Sequence, residues 1–169
     1  PYGLWWFEDI CDPLDFETHS QVASCYSGRI AAGEALFSVA EAKLLHNYAG
    51  LRPAKDILLF DPAHCYGLSG YIQIVETLEA LGWPRSAFWP HGGHLFCAHI
   101  VAAFGLGGAE VNPRSFSPFG GLADATAVRD GFVGAPNLPG VGFEGKAQLL
   151  ELLEDLAAST DPLPLRSGK

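Results

Sequence analysis

The stretch from Asp56 to Asp61, with the sequence DILLFD, has four apolar residues in a row between two aspartates. A short, continuously apolar run is typical of a strand that is buried on both faces, as the strands of parallel sheets are. The next segment, residues 69–83, repeats its apolar side chains with the 3.6-residue period of an amphipathic helix. A buried strand followed by such a helix is the building unit of parallel α/β proteins.

The same alternation of strand and helix extends in both directions along the chain. We predict strands at residues 4–8, 29–34, 56–61, 87–91 and 109–113. We predict helices at residues 15–27, 38–50, 69–83, 94–108 and 146–159. The second helix has Ser38 as its N-cap and Glu41 at the capping-box position. Residues 114–145, rich in Pro and Gly, predict loops or small strands.

Ionisable residues lie at or near the ends of these five strands: Glu8, Glu34, Asp61, His91 and Glu110. The carboxyl ends of successive parallel strands share one face, and in a TIM-type barrel the chemistry takes place on that face. Helix N-caps would explain any one of these residues but not the set, because caps favour Ser, Thr, Asp and Asn over Glu and His. A whole barrel takes about 250 residues, so we predict that this chain forms part of one.

Composition argues against several classes of function. Of the 169 residues 49% are hydrophobic, which indicates a globular core, and the formal net charge of −9 argues against nucleic acid or an anionic membrane as a partner. No apolar run is long enough to cross a bilayer. The four cysteines form no C-x-x-C pair and predict free thiols in a reducing, cytoplasmic setting. Because the chain begins with Pro1 and contains no methionine, we predict that it is a fragment of a longer protein.

Residues 88–99, FWPHGGHLFCAH, contain three of the six histidines. A zinc site formed by His91, His94 and His99 is one interpretation, although the spacing differs from the i, i+4 pair of a metalloprotease helix. The HGG tripeptide also occurs in the oxyanion loop of α/β-hydrolases, but the chain lacks their G-x-S-x-G motif. Residues 105–110 (GLGGAE) fail the dinucleotide-binding pattern because they precede a strand. A non-catalytic half-barrel that only binds or scaffolds is a further alternative.

Six motifs stand in one order along the chain: WFEDICDPLDF, AAGEALFS, LLFDPAHCYGLSGY, PHGGH, GLGGAEVNP and NLPGVGFEGK. In this order and spacing the chain resembles the mandelate racemase/muconate lactonizing enzyme branch of the enolase superfamily, and within it the D-tartrate dehydratase-like acid-sugar dehydratases. The resemblance implies an α/β fold, the C-terminal part (about strands four to eight) of a modified (β/α)₇β barrel. Residues 1–145 would form the partial barrel with its loop segment. Residues 146–169 would form a helix and tail packed on the barrel or on a capping domain outside the chain.

The resemblance also implies roles for the residues at the strand ends. Glu8 and Glu34 would bind Mg²⁺, which suits hard oxygen ligands from separate strands. Asp61 and His91 would form a catalytic dyad, with the imidazolium of His91 as general acid. The family's first metal ligand, an aspartate, and its lysine base have no counterpart in this chain, and we expect both upstream of Pro1.

Two further residues are expected to contact the substrate. Glu110 would hydrogen-bond the enolised carboxylate, and His94 would line the pocket from the start of the next helix. The implied reaction is elimination of water from a 2,3-dihydroxy carboxylate, with D-tartrate going to oxaloacetate as the specific case. The full-length protein is expected to be a homo-oligomer, and this chain alone to be inactive. Racemisation is an alternative reaction within the same superfamily.

Overall fold

A short parallel sheet forms the centre of the chain, of which the computed structural model describes residues 2–112, 117–135 and 137–158. The sheet has three strands in the order β1-β2-β3, which are Phe7–Glu8, Ile30–Ala32 and Ile57–Leu58. Ala31 of β2 lies opposite Ile57 of β3, and all three residues of β2 are buried. The apolar run that begins after Asp56 is therefore a buried parallel strand, as its sequence predicts.

Five α-helices accompany the strands: α1 (Phe16–Cys25), α2 (Val39–Tyr48), α3 (Gly67–Ala80), α4 (Leu95–Phe104) and α5 (Ala147–Ala158). The predicted cap of α2 is present, because the hydroxyl of Ser38 accepts the Glu41 backbone N–H at 3.2 Å. The Glu41 carboxylate in turn accepts the hydroxyl of Ser38 and the backbone N–H of Phe37, both at 2.8 Å. These bonds satisfy amide groups that a helix start leaves without intrahelical partners.

The two faces of the sheet are packed differently. The outer face and the helices share the main core, whose largest fully buried members are Trp83, Tyr71, Phe60 and Phe88. On the inner face, Ala31, Ile57 and Leu59 pack against indole rings. The rings of Trp5, Trp6 and Trp89, which we call the tryptophan cluster, have centroids 4.9 to 5.6 Å apart. Aliphatic side chains packed against large aromatic rings fill the limited space inside a barrel, and the inner face of this sheet has that packing.

A buried ion pair closes the amino end of β3. Both oxygens of Asp56 are used, since Oδ1 accepts the Ile30 N–H at 2.9 Å and Oδ2 accepts the Arg52 N–H at 2.7 Å. The guanidinium of Arg52 donates to both oxygens at 2.8 Å and also to the carbonyls of Tyr26 and Gly28. This network joins the loops that follow α1 and α2 to β2 and the start of β3, at the face opposite the strand ends that carry Glu8 and Glu34.

The predictions for the fourth and fifth strands are wrong within the described residues. Residues 85–87 form a 3₁₀ turn, and only Phe88 pairs with the sheet, through a single bridge to Leu58. The 3₁₀ turn leaves no extended backbone before Phe88, and after it only Trp89 donates to the sheet, to the Leu58 carbonyl at 2.8 Å. Residues 109–112 form no strand, and their one described bond toward that segment joins Glu110 N–H to the Pro90 carbonyl at 3.4 Å. Position 113 lies outside the described residues.

The C-terminal part contains an antiparallel hairpin, β4 (Val128–Arg129) with β5 (Phe132–Val133), in agreement with the prediction of small strands. Helix α5 follows a 3₁₀ turn at residues 143–145, and its Leu149 is buried. The predicted last residue of this helix, 159, and the tail after it lie outside the described residues. None of the helices described is both long and apolar enough to cross a membrane. The division of the chain at residue 145 stays a prediction.

Candidate active site

Three carboxylates meet at the carboxyl ends of β1 and β2. Glu8 ends β1, Glu34 follows β2 after the Gly33 turn, and Glu110 comes from the segment after α4. One oxygen from each of the three lies within 4.8 Å of the other two. The indole N–H of Trp6 donates to Glu8 at 2.7 Å, and the backbone N–H of Gly92 donates to Glu110 at 3.3 Å. We call Glu8, Glu34 and Glu110 the carboxylate cluster.

The carboxylate cluster has the electrostatics of a cation site. Burial raises the pKa of Glu34, and the charges of Asp9, Glu8 and Glu110 raise it further against the opposing effect of His91. Like charges at this separation repel one another, and a bound cation removes the repulsion. Oxygen ligands alone are the donor set that Mg²⁺ and Ca²⁺ prefer. The residues present therefore fit a hard divalent cation.

Asp61 and His91 are in contact, as the dyad requires. The imidazole Nδ1 of His91 donates to Asp61 Oδ2 at 3.2 Å, and the backbone N–H of Ala63 donates to Oδ1 at 2.7 Å. Asp61 is buried, which by itself raises its pKa, but hydrogen bonds from His94, Ala63 and His91 lower that pKa to about 2. The carboxylate is therefore charged at neutral pH and orients the His91 ring.

His91 lies between the dyad carboxylate and the carboxylate cluster. Its Nε2 is 3.6 Å from Glu34 Oε2, on the side of the ring opposite Asp61. Burial lowers the pKa of His91, but the hydrogen bond to Asp61 and the charges of Glu34 and Glu110 outweigh burial and raise it. An imidazole that is readily protonated near neutral pH thus lies next to the candidate cation site, which is the arrangement of a general acid.

A second imidazole contacts the same aspartate. His94 is the N-cap residue of α4, and its Nε2 lies 3.4 Å from Asp61 Oδ1 and 3.4 Å from the sulfur of Cys97. The prediction that His94 lines the pocket agrees with the geometry, but its nitrogen is directed at Asp61. His99 is separate from this group, and its Nε2 is buried with no hydrogen-bond partner among the described residues. Within those residues the three histidines of 88–99 therefore do not form one metal site.

A cavity of about 750 Å³ opens beside the dyad. Its polar wall is formed by Asp61, His64, His91 and His94, and its apolar wall includes Phe96, Phe119, Val141 and Phe143. The rings of His64 and His91 are 6.3 Å apart. A concave, mostly apolar pocket with a few convergent polar groups is the usual form of a small-molecule site.

Two glycines allow the backbone to pass closely behind the dyad. Gly92 has φ +99°, and a Cβ there would lie 2.8 Å from the His94 ring and 3.0 Å from Asp61. Gly93 has φ +58°, and a Cβ there would lie 3.1 Å from the backbone of Glu110. The pair therefore lets His91, His94 and Glu110 approach one site, which a side chain at either position would obstruct.

Sequence reasoning missed two members of this region. Cys97 is predicted only as a buried thiol, whereas its sulfur contacts the His91 carbonyl at 3.2 Å and the His94 ring. Trp6 carries no predicted role, whereas it donates to Glu8. The i, i+3 spacing of His94 and Cys97 at a helix start is the signal in the sequence that could have indicated the first of these contacts.

The chain is similar to known proteins along most of its length. The family model described as enolase C-terminal domain-like matches residues 1–149. L-talarate dehydratase from Polaromonas sp. JS666, solved with Mg and L-glucarate, is 26% identical over 82% of this chain and 36% of its own, with a TM-score of 0.66. L-talarate/galactarate dehydratase from Salmonella typhimurium LT2 is 25% identical over 86% of this chain and 35% of its own, with a TM-score of 0.67. A mandelate racemase/muconate lactonizing enzyme from Polaromonas sp. JS666 is 27% identical over 84% of this chain and 37% of its own, with a TM-score of 0.67.

The chain belongs to the mandelate racemase/muconate lactonizing enzyme branch of the enolase superfamily, and it is an α/β fragment that matches the enolase C-terminal domain. It spans 35–37% of the length of these three solved proteins. Two of the three are acid-sugar dehydratases by name. The activity of the whole protein is accordingly a matter for proposal.

Proposed function

We propose that this chain carries the metal-binding and acid-catalytic part of a Mg²⁺-dependent dehydratase that acts on an acid sugar or another 2,3-dihydroxy carboxylate. The observation that supports it best is the position of His91, whose Nδ1 contacts Asp61 and whose Nε2 faces Glu34. A proton donor is thereby held at the border of a cation site. Our specific candidate reaction is the conversion of D-tartrate to oxaloacetate.

The roles follow from the groups. Glu8 and Glu34 would hold Mg²⁺, which when bound would stabilise negative charge on the substrate's carboxylate. A base removes the α-proton, the bond from the β-carbon to its hydroxyl oxygen breaks, and His91 delivers a proton to that oxygen so that it leaves as water. Asp61 keeps His91 charged and oriented. The resulting enol takes up a proton at carbon and becomes a 2-keto acid.

Glu110 has two candidate roles. As a member of the carboxylate cluster it is close enough to Glu8 and Glu34 to share a cation. It can also contact the substrate's carboxylate, the role that the family resemblance implies. We propose that the lysine base and a further carboxylate come from outside this chain, as the family resemblance implies. In support, Lys43 is on helix α2, Lys55 donates to the Ser27 carbonyl, and Lys146 donates to the carbonyls of Gly120 and Leu122.

The cation site is testable on the 169-residue chain itself. Isothermal titration with Mg²⁺ should give one site, and Glu34→Gln should weaken binding by at least about tenfold because one charged ligand is lost. Glu17→Gln, which changes an exposed carboxylate of α1, is the matched control and should bind as the unaltered chain does. Equal affinity of the Glu34 and Glu17 variants would contradict the metal assignment.

The reaction is testable on the complete gene product that carries this sequence. Incubation with a panel of acid sugars that includes D-tartrate should yield a 2-keto acid, with loss of one water, and His91→Asn should abolish it. His46→Asn is the control, since His46 lies on α2, accepts the Trp83 indole N–H at 3.1 Å and does not line the cavity beside the dyad. Inversion of a stereocentre without loss of water would identify a racemase instead. An active His91→Asn enzyme would exclude the dyad mechanism.

A further inference from the structure

A second set of metal-ligating atoms lies on the far side of the dyad. His94 and Cys97 are three residues apart at the start of α4, so their side chains lie on the same face of the helix and both approach Asp61. Asp61 Oδ1 and Cys97 Sγ each lie 3.4 Å from His94 Nε2. All three donor atoms lie within 4.8 Å of one another. Unlike the carboxylate cluster, this group offers one oxygen, one nitrogen and one sulfur.

Two of the three separations match a tetrahedral ion, and the third is within 4.8 Å. Zinc binds imidazole nitrogen and carboxylate oxygen at about 2.0–2.1 Å and thiolate sulfur at about 2.3 Å, so tetrahedral angles put neighbouring ligand atoms about 3.3–3.6 Å apart. The two distances to His94 Nε2 are already within this range. Because Asp61 and His94 line the cavity of about 750 Å³, an ion has a route in and solvent can supply its fourth ligand.

We propose that Asp61, His94 and Cys97 form a zinc site, separate from the Mg²⁺ site, whose occupation inhibits the enzyme. The sulfur and imidazole donors favour zinc, whereas Mg²⁺ favours oxygen ligands alone, so the two ions divide between the two sites. Binding is redox-neutral. A zinc–sulfur bond forms while the Cys97 thiol, which now donates to the His91 carbonyl, releases its proton to solvent. A zinc–nitrogen bond forms at His94 Nε2 while the proton that this nitrogen donates to Asp61 is replaced, through solvent, by a proton on Nδ1, so one proton is released overall.

The inhibitory consequence rests on the proposed function. Asp61 contacts His94 through Oδ1 and His91 through Oδ2. An ion bound to Asp61 Oδ1 and His94 would occupy the wall of the cavity that His91 also lines, and it would pull Asp61 away from the hydrogen bond that orients the His91 ring. Zinc at this site would therefore obstruct the substrate and misplace the general acid while leaving Glu8 and Glu34 free to bind Mg²⁺.

Cobalt(II) is the probe that tests the site without any assay of activity. Added to the 169-residue chain, it should give the absorption of a thiolate–cobalt complex with one ion per chain, and zinc should displace it. Cys97→Ser and His94→Gln should lose this absorption, and Cys25→Ser, which removes an exposed thiol, should keep it. Glu34→Gln should also keep it, because the carboxylate cluster is a different site.

If circular dichroism shows that Cys97→Ser does not fold, two further measurements test the zinc site. X-ray absorption of the zinc-loaded chain should show one sulfur neighbour, and calorimetry in buffers of different ionisation enthalpy should show about one proton released per zinc. No thiolate–cobalt absorption in the unaltered chain, or no sulfur neighbour of bound zinc, would overturn the proposal.

Inhibition is measured on the complete gene product at saturating Mg²⁺ as the ratio of activities with and without zinc. The zinc concentration that halves activity should rise by about tenfold or more in Cys97→Ser, because one ligand is lost. An unchanged ratio alongside a clear cobalt signal would disprove the inhibitory role. If the gene product dehydrates no acid sugar, the cobalt spectrum still tests the zinc site, so the two proposals fail separately.

Discussion

Two aspartates five positions apart bracket the same buried strand, and they are used in opposite ways. Asp56, before β3, is buried and accepts hydrogen bonds from Ile30 and from the backbone and guanidinium of Arg52. Asp61, after β3, is buried to a similar degree but its partners are the imidazoles of His91 and His94. One carboxylate is paired with a guanidinium that is always charged, whereas the other accepts the Ala63 N–H and faces two imidazole rings.

The difference shows how a parallel strand separates stability from chemistry. At the amino end of the strand both oxygens of Asp56 accept hydrogen bonds from Arg52 or from Ile30, so neither oxygen is available to a ligand. At its carboxyl end Asp61 lies beside a cavity and orients the imidazole ring of His91. We therefore expect removal of the charge to affect mainly activity at Asp61 and mainly stability at Asp56.

The largest expected effect is loss of activity in Asp61→Asn. The amide no longer stabilises the imidazolium of His91, so dehydration by the complete gene product should fall about 10³-fold, or about 4 kcal/mol. Steady-state kinetics measures it, and urea unfolding at neutral pH should show a loss of about 2 kcal/mol, the contribution of the ionised Asp61 carboxylate. A variant that is unfolded, and only for that reason inactive, would remove the distinction between the two aspartates.

Asp56→Asn should have the reverse profile. The amide faces the guanidinium with N–H groups instead of a charge, and breaking a buried pair of this kind costs about 3 kcal/mol once the partial exposure of Arg52 is allowed for. Urea denaturation measures the free energy of unfolding, with the exposed-surface change Glu76→Gln as control. Activity per folded molecule should be unchanged, and its selective loss would contradict the structural role.

Gly92→Ala should destabilise by about 2–3 kcal/mol, from the positive φ and from contact with His94 and Asp61. Gly67→Ala is the matched control, because Gly67 also has a positive φ, +77°, but no atom lies within 4 Å of the position that a methyl group would take there. Urea denaturation of both variants separates backbone strain from crowding at the site. Equal losses in the two variants would show that the space behind the dyad is not restrictive.

The smallest expected effect is on stability in acid. The pKa of Asp61, about 2, is below its ordinary value of 3.8, so its contribution is present above about pH 4 and is lost as pH falls toward 2. The unaltered chain should lose about 2 kcal/mol over this range relative to Asp61→Asn. Urea unfolding of both proteins at several pH values tests it, and parallel curves would contradict the low pKa.

The sequence predicts the helices and the meeting of strand ends better than it predicts the contacts within the site. Ser38 and Glu41 determine the start of α2 through local bonds, and Glu8, Glu34 and Asp61 follow from strand position alone. The strand at 87–91 is overpredicted, because residues 85–87 form a 3₁₀ turn and only Phe88 bridges to the sheet. The approach of Cys97 to Asp61 depends on how α4 packs against the end of β3, a long-range arrangement that no local pattern contains.

The tryptophan cluster gives the protein an optical reporter of its own. The Trp6 indole donates its N–H to Glu8, and its ring is 5.6 Å from Trp89, which is two residues before His91. A cation bound to the Glu8 carboxylate would neutralise its charge, and this would weaken the hydrogen bond from Trp6 and alter the fluorescence of the indole. The emission of the protein should therefore follow occupation of the carboxylate cluster directly, without any added dye or substrate.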